Sequence, residues 1–103
     1  MDERLEQLRL LAQKDPNDPF IKYAIALEYM SSNRFEEAAE ILESLMIISP
    51  DYTPGYHQAG RVYEELDRLQ QARTCYERGI VIAEQQGHSK DLEEMRAALD
   101  LID

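Results

Sequence analysis

The chain matches itself at a shift of 34 residues, and that period restricts it to a stack of similar two-helix units. At this shift Pro16 falls on Pro50, Ala26 on Gly60, Tyr29 on Tyr63, Arg34 on Arg68 and Phe35 on Leu69. Ala38 falls on Ala72, Leu42 on Tyr76 and Ile48 on Ile82. The matches are size matches at helical spacings, as a repeated packing unit requires. The punctuation repeats too. Asp18-Pro19 and Thr53-Pro54 each place an N-cap acceptor before a Pro at the first helical position. Asn33 and Asp67 stand at polar helix ends, and Asn tolerates the left-handed backbone that closes a helix. Each unit is therefore predicted to be helix, tight turn, helix.

The flanks read as helices as well. Leu5, Leu8 and Leu11 form one stripe before Asp15-Pro16; Leu8 falls on Leu42 and Leu11 on Leu45. The N-terminal segment is thus expected to be a lone second helix. Ser89 is the expected N-cap of a last helix, with Asp91 favourable in its first turn. Leu92, Met95, Leu99 and Ile102 give that helix an apolar stripe, and Glu93, Glu94 and Arg96 a polar outer face, which suits a cap on the stack. The expected helices span 2–14, 19–32, 36–48, 54–66, 70–86 and 90–102, in one domain over 1–103. That domain divides into an N-terminal helix (2–14), units at 19–52 and 53–86, and a capping helix (89–102). Two units alone bury too little, but three helix pairs make a continuous core.

At this point the pattern resembles a known family. Large-x2-Leu-Gly-x2-Tyr, then Ala-x3-Phe, then Pro is the signature of the tetratricopeptide repeat. The first unit offers Ile25, Ala26, Tyr29, Ala38, Leu42 and Pro50, and the second Tyr56, Ala59, Gly60, Tyr63, Ala72 and Tyr76. The resemblance covers nearly the whole chain and implies an all-α superhelix, a solenoid of antiparallel helix pairs. Two positions depart from it. Lys22 replaces the large aromatic of the first unit, and Glu84 replaces the closing Pro of the second. Without that Pro the helix is expected to continue to Gln86 and stop at Gly87.

Charge excludes several partner classes. There are 11 Lys and Arg against 21 Asp and Glu, a net −10. Such a surface repels phosphate backbones and anionic lipid, so neither nucleic acid nor membrane is an expected partner. Cys75 is the only cysteine, so no intrachain disulfide forms. A reducing, cytoplasmic setting is the expectation. No apolar run approaches the ~18 residues of a membrane span.

Enzyme chemistry finds no foothold. His57, His88 and Cys75 lack any metal-ligand spacing, so no metal or cofactor is expected. Ser31, Ser32, Ser44, Ser49 and Ser89 fall at helix ends, turns or outer faces, and no G-x-S-x-G is present. Glu36, Glu37, Glu40 and Glu43 read as a solvated convex face, and the glycines are isolated. The chain is expected not to be an enzyme.

Surface recognition remains. In the family it resembles, the first helix of each unit lines a concave face. Carried over, those slots are Phe20, Tyr23, Leu27, Met30 and Ser31, then Pro54, His57, Arg61, Glu64 and Glu65. Some family members hold a chaperone's C-terminal carboxylate with Lys and Asn; the corresponding slots here are Tyr23, Leu27, Gln58 and Arg61, with one cation among them. Phe20, Tyr23, Leu27 and Met30 form a second apolar stripe on a helix that already commits Ile25, Ala26 and Tyr29 to packing. Either the N-terminal helix covers that stripe, or a partner does. The leading expectation is a protein-interaction module that takes a peptide or helix. Phe20, Tyr23, Leu27 and Met30 would supply apolar area, and His57, Arg61 and Glu64 polar selectivity. The alternatives are a self-associating scaffold, with a weak homodimer through the stripe or repeat edge, and a regulatory or chaperone-like subunit of a larger complex.

Overall fold

A computed structural model describes residues 2–87 and 89–102. Six helices follow one another: α1 (Asp2–Lys14), α2 (Pro19–Ser31), α3 (Phe35–Ile48), α4 (Thr53–Glu65), α5 (Leu69–Gln86) and α6 (Ser89–Ile102). There is no strand among the described residues. Each helix packs on the next, and α4 also touches α6, so α2, α4 and α6 lie along one side of the stack.

The turns follow the sequence signals in part. Asp18 caps α2, its Oδ1 accepting from the Phe20 amide at 2.9 Å. Asn33 and Asp67 have φ of 60° and 57°, the left-handed turns predicted inside each unit. Gly87 ends α5 with φ 72°. Thr53 is not an N-cap. Tyr52 holds that position without a side-chain bond, and Thr53 begins α4. The Thr53 hydroxyl instead donates to Gln86 Oε1 at 2.8 Å, and Gln86 Nε2 donates to the Asp51 carbonyl at 2.7 Å. The extra turn of α5, allowed where Glu84 replaces the Pro, thus reaches back to fasten the start of α4. The expected cap at Ser89 lies outside the described side chains.

Small residues set how closely the helices approach. Ala26, Ala38, Ala59 and Ala72 are fully buried. Gly60 faces the Tyr76 ring: a Cβ built on it would lie 2.7 Å from Cδ1 and closer still to Cε1 and Cζ. Gly79 sits where α4, α5 and α6 converge, its built Cβ 2.6 Å from Met95 Sδ and 2.7 Å from Tyr56 Cβ. Tyr76, Leu42, Leu45, Met95 and Val62 are the largest side chains with no exposure.

The N-terminal stripe is buried only in part. Leu5 and Leu8 are in the core, whereas Leu11 is 50 % exposed. Its counterpart Leu45 is enclosed because α3 has both α2 and α4 beside it; α1 packs chiefly on α2. At the positions of Ala38 and Ile41, α1 carries Arg4 and Gln7, both exposed. The exposed side of α1 therefore mixes Arg4 and Gln7 with Leu10 and Leu11.

The run of glutamates on α3 is not simply solvated. Glu36 pairs with Arg68, Glu37 with Arg34, and Glu43 accepts from the Tyr63 hydroxyl at 2.6 Å. Residue 9, one period before Glu43, does the equivalent job with the opposite charge: Arg9 donates to the Tyr29 hydroxyl at 2.6 Å. Both bonds tie a second helix to the tyrosine of the following first helix.

Candidate partner-binding groove

The open face of α2 is built by its two apolar stripes. Ile25, Ala26 and Tyr29 are buried. On the other stripe Phe20 is 69 % exposed and Leu27 39 %, while Tyr23 and Met30 are half-buried against the core. α1 does not close this stripe. It holds α2 from the side, through Arg4 Nε on Glu28 Oε1 at 3.1 Å and Arg9 on Tyr29. The Arg34 guanidinium stacks on the Tyr29 ring, 4.9 Å from its centroid.

A cavity of about 260 Å³ opens where the ends of α2 and α4 meet the start of α3. Met30, Ser31, Phe35, Arg61 and Glu65 line it. Its apolar wall is Met30 and Phe35; Arg61, Glu65 and Ser31 supply polar groups. Arg61 donates to Gln58 Oε1 at 3.1 Å, and the Ser31 hydroxyl to the Glu28 carbonyl at 2.8 Å. Met30 and Arg61, on different units, are thereby brought together.

A second centre lies toward the other end of α2. The Tyr23 and Tyr52 rings meet edge to face, with centroids 5.6 Å apart. Burial raises the Tyr23 phenol above its ordinary pKa, and the Asp91 carboxylate adds to the shift. Gln58 and the Arg61 guanidinium, both on α4, act on the same phenol in the lowering direction. Burial likewise raises Tyr52, with Tyr23, Asp18 and Asp91 acting in the same direction.

His57 and Glu64 are more occupied than their groove slots suggest. His57 is 8 % exposed; its Nδ1 lies 3.0 Å from Asp91 Oδ1 and its Nε2 3.6 Å from Glu94 Oε2. The two carboxylates sit at different ring nitrogens, so they do not converge on a metal ion. His57 joins α4 to α6. Glu64 accepts from the buried Tyr76 hydroxyl. Burial, followed by this carboxylate, drives the Tyr76 phenol far above its ordinary range. His88 lies outside the described residues.

Phe35, Tyr52 and Asp91 enter the site without a sequence signal of their own. Phe35 shows in the repeat only as the counterpart of Leu69. Tyr52 stands in the turn before α4, and Asp91 presents as a first-turn acid. Their role depends on how the units stack, which no single period reveals.

Between α3, α4 and α5 lies a smaller, open cavity of about 150 Å³ beside Met46, Tyr63 and Cys75. Burial pushes the Cys75 thiol up to about 12, so it stays protonated and is a poor nucleophile near neutral pH. No helix of the described residues is long and apolar enough to cross a membrane.

The family model for the tetratricopeptide repeat matches residues 21–52 and 53–86. Among solved structures, a tetratricopeptide repeat domain protein from Salinibacter ruber is 36 % identical. That likeness covers 82 % of this chain and 94 % of that one, with a TM-score of 0.79. A TPR repeat-containing protein of Pseudomonas aeruginosa is 24 % identical over 99 residues, covering 96 % of this chain and 94 % of its own length. The first TPR of Spaghetti, solved with an HSP90 peptide, is 23 % identical with a TM-score of 0.83. It covers 98 % of this chain and 75 % of that chain. At that identity the likeness is one of fold.

Proposed function

We propose, starting from the fact that this chain belongs to the tetratricopeptide repeat family, that it is a non-enzymatic module holding a segment of a partner protein against the inner faces of α2 and α4. One observation carries the reading: the second apolar stripe of α2 stays open. Phe20 and Leu27 remain exposed after all six helices have packed. They lead along α2 to the cavity lined by Met30, Phe35 and Arg61. Solvent-facing apolar area of this kind is costly to leave bare, and aromatic and Met side chains re-pack readily around a ligand. The peptide bound by the first TPR of Spaghetti supports the mode of binding and not the identity of the partner.

Within this reading Phe20, Tyr23, Leu27 and Met30 supply the apolar contact. Arg61 supplies the polar selection at the cavity. His57 and Glu64 act indirectly, by fixing α6 and Tyr76. Self-association through the end of the stack is the weaker alternative, because the exposed Leu10 and Leu11 of α1 are interspersed with exposed Arg4, Gln7 and Arg9.

The test is substitution of Leu27 by Asp, with thermal melting and partner capture from native lysate measured side by side. Loss of capture at an unchanged melting temperature supports the groove. Unfolding of the variant would show that Leu27 belongs to the core, and would sink the assignment.

A further inference from the structure

The partner's chemistry can be read from how the two centres of the groove differ. This step rests on the proposed function and adds the class of segment that the groove takes. The cavity at the far end of α2 has an apolar wall, Met30 and Phe35, facing Ser31, Arg61 and Glu65. The other centre offers two tyrosine rings in edge-to-face contact, and Asp91, on the α6 helix that packs on α4, acts electrostatically on both. Asp91 is held in place by His57 at 3.0 Å, with 29 % of its side chain still exposed. Ring faces and a fixed, partly desolvated carboxylate are what an ammonium or guanidinium group seeks. The net charge of −10 adds long-range attraction for a basic chain.

The separation is set by α2 itself. Tyr23 and Met30 are seven residues apart, and a rise of 1.5 Å per residue places the two centres about 10 Å from each other. We propose that the bound segment is basic and amphipathic: a Lys or Arg sits against Tyr23, Tyr52 and Asp91, and a large apolar side chain, about 10 Å along, packs on the Met30–Phe35 wall of the cavity and leaves Arg61 and Glu65 at its mouth. In an extended segment that distance is roughly three residues.

The probe is a fluorescein-labelled synthetic peptide with Lys and Leu three residues apart in a Ser/Thr background, titrated with the full chain and read by anisotropy. Replacing the Lys with Glu is expected to weaken binding about tenfold, and replacing the Leu with Ser by at least as much. Raising salt weakens the Lys peptide selectively. In the protein, Asp91→Asn keeps an acceptor for His57 but removes the charge; it costs the Lys peptide about fivefold and leaves a Met-for-Lys peptide unchanged. If that variant fails to fold, Tyr23→Leu, which keeps apolar bulk and removes the ring, is read in the same way. Equal or tighter binding of the Glu peptide overturns the inference. If all Leu-bearing peptides bind alike and Leu27→Asp abolishes them, the groove stands and the basic partner falls. If neither the Lys peptide nor its variants bind, the pairing of these two centres is wrong.

Discussion

Replacing Gly60 with Ala tests the tightest contact in the stack. In an exposed helix the change is favourable by about 1 kcal/mol, because Ala is the better helix former. Here the new methyl would enter the Tyr76 ring, 2.7 Å from Cδ1 and nearer to two further ring atoms. The ring cannot easily swing aside: Tyr76 has no exposure, and its hydroxyl is bonded to Glu64. Overpacking of this kind costs about 1–3 kcal/mol, and a pinned ring belongs at the upper end. The net loss is then about 2 kcal/mol, or a fall in Tm of roughly 8–16 °C for a domain of this size. The first unit carries the compatible pair, Ala26 with Leu42, both fully buried. Tyr76→Leu alone leaves a gap at Gly60 and costs about 2–3 kcal/mol. The double variant Gly60→Ala, Tyr76→Leu refills that gap and regains helix propensity, so the two changes should couple by about 2–3 kcal/mol. Urea unfolding followed by far-ultraviolet circular dichroism measures the cycle. A Gly60→Ala protein as stable as its parent, or strictly additive effects, would refute the close approach of α4 and α5.

Gly79→Ala should also destabilise, by about 1–2 kcal/mol in the same assay, because Met95 can flex but the Tyr56 Cβ at 2.7 Å cannot. Gly87→Ala meets no atom within 4 Å, yet it should lower stability by about 1 kcal/mol through the positive φ alone, and Gly87→Asn should lower it less. Cys75 should resist thiol reagents at pH 8 in the folded protein and react fully in denaturant, given a thiol raised to about 12. Burial and then Glu43 raise the Tyr63 phenol above its ordinary value of 10.0, as burial and then Glu64 raise Tyr76. The folded state therefore holds these protons more tightly than the unfolded chain. Their contribution to stability is present below pH ~10 and is lost as the pH climbs beyond it, so alkaline unfolding should coincide with the rise in tyrosinate absorbance of these two rings.

Much of the architecture is legible in the sequence because a repeat states each packing decision twice. Ala26 and Gly60, Ala38 and Ala72, and the turns at Asn33 and Asp67 all follow from size and backbone preference at fixed spacing. What the period hides is what each copy does differently. Thr53 resembles a cap in sequence, but the longer α5 brings Gln86 within reach of its hydroxyl. Leu11 copies Leu45, yet α1 lacks the neighbour that encloses Leu45. Glu36 and Glu43 of α3 read as surface because their partners, Arg68 and Tyr63, come from the next unit. The site divides the same way. The stripe on α2 is visible as a surplus of apolar positions on one helix. His57 looks like a groove residue until α6, which follows the second unit, brings Asp91 and Glu94 to its ring. Phe35 and Tyr52 join the site only through the stacking of units.

The most direct test of the groove is a backbone-amide chemical-shift map of the isotopically labelled chain, titrated with the Lys–Leu peptide. The groove reading predicts changes concentrated at Tyr23, Leu27, Met30 and Arg61, with the amides of α3 and α5 that face the smaller cavity undisturbed. Changes centred on Met46, Tyr63 and Cys75, or scattered evenly over the surface, would contradict it.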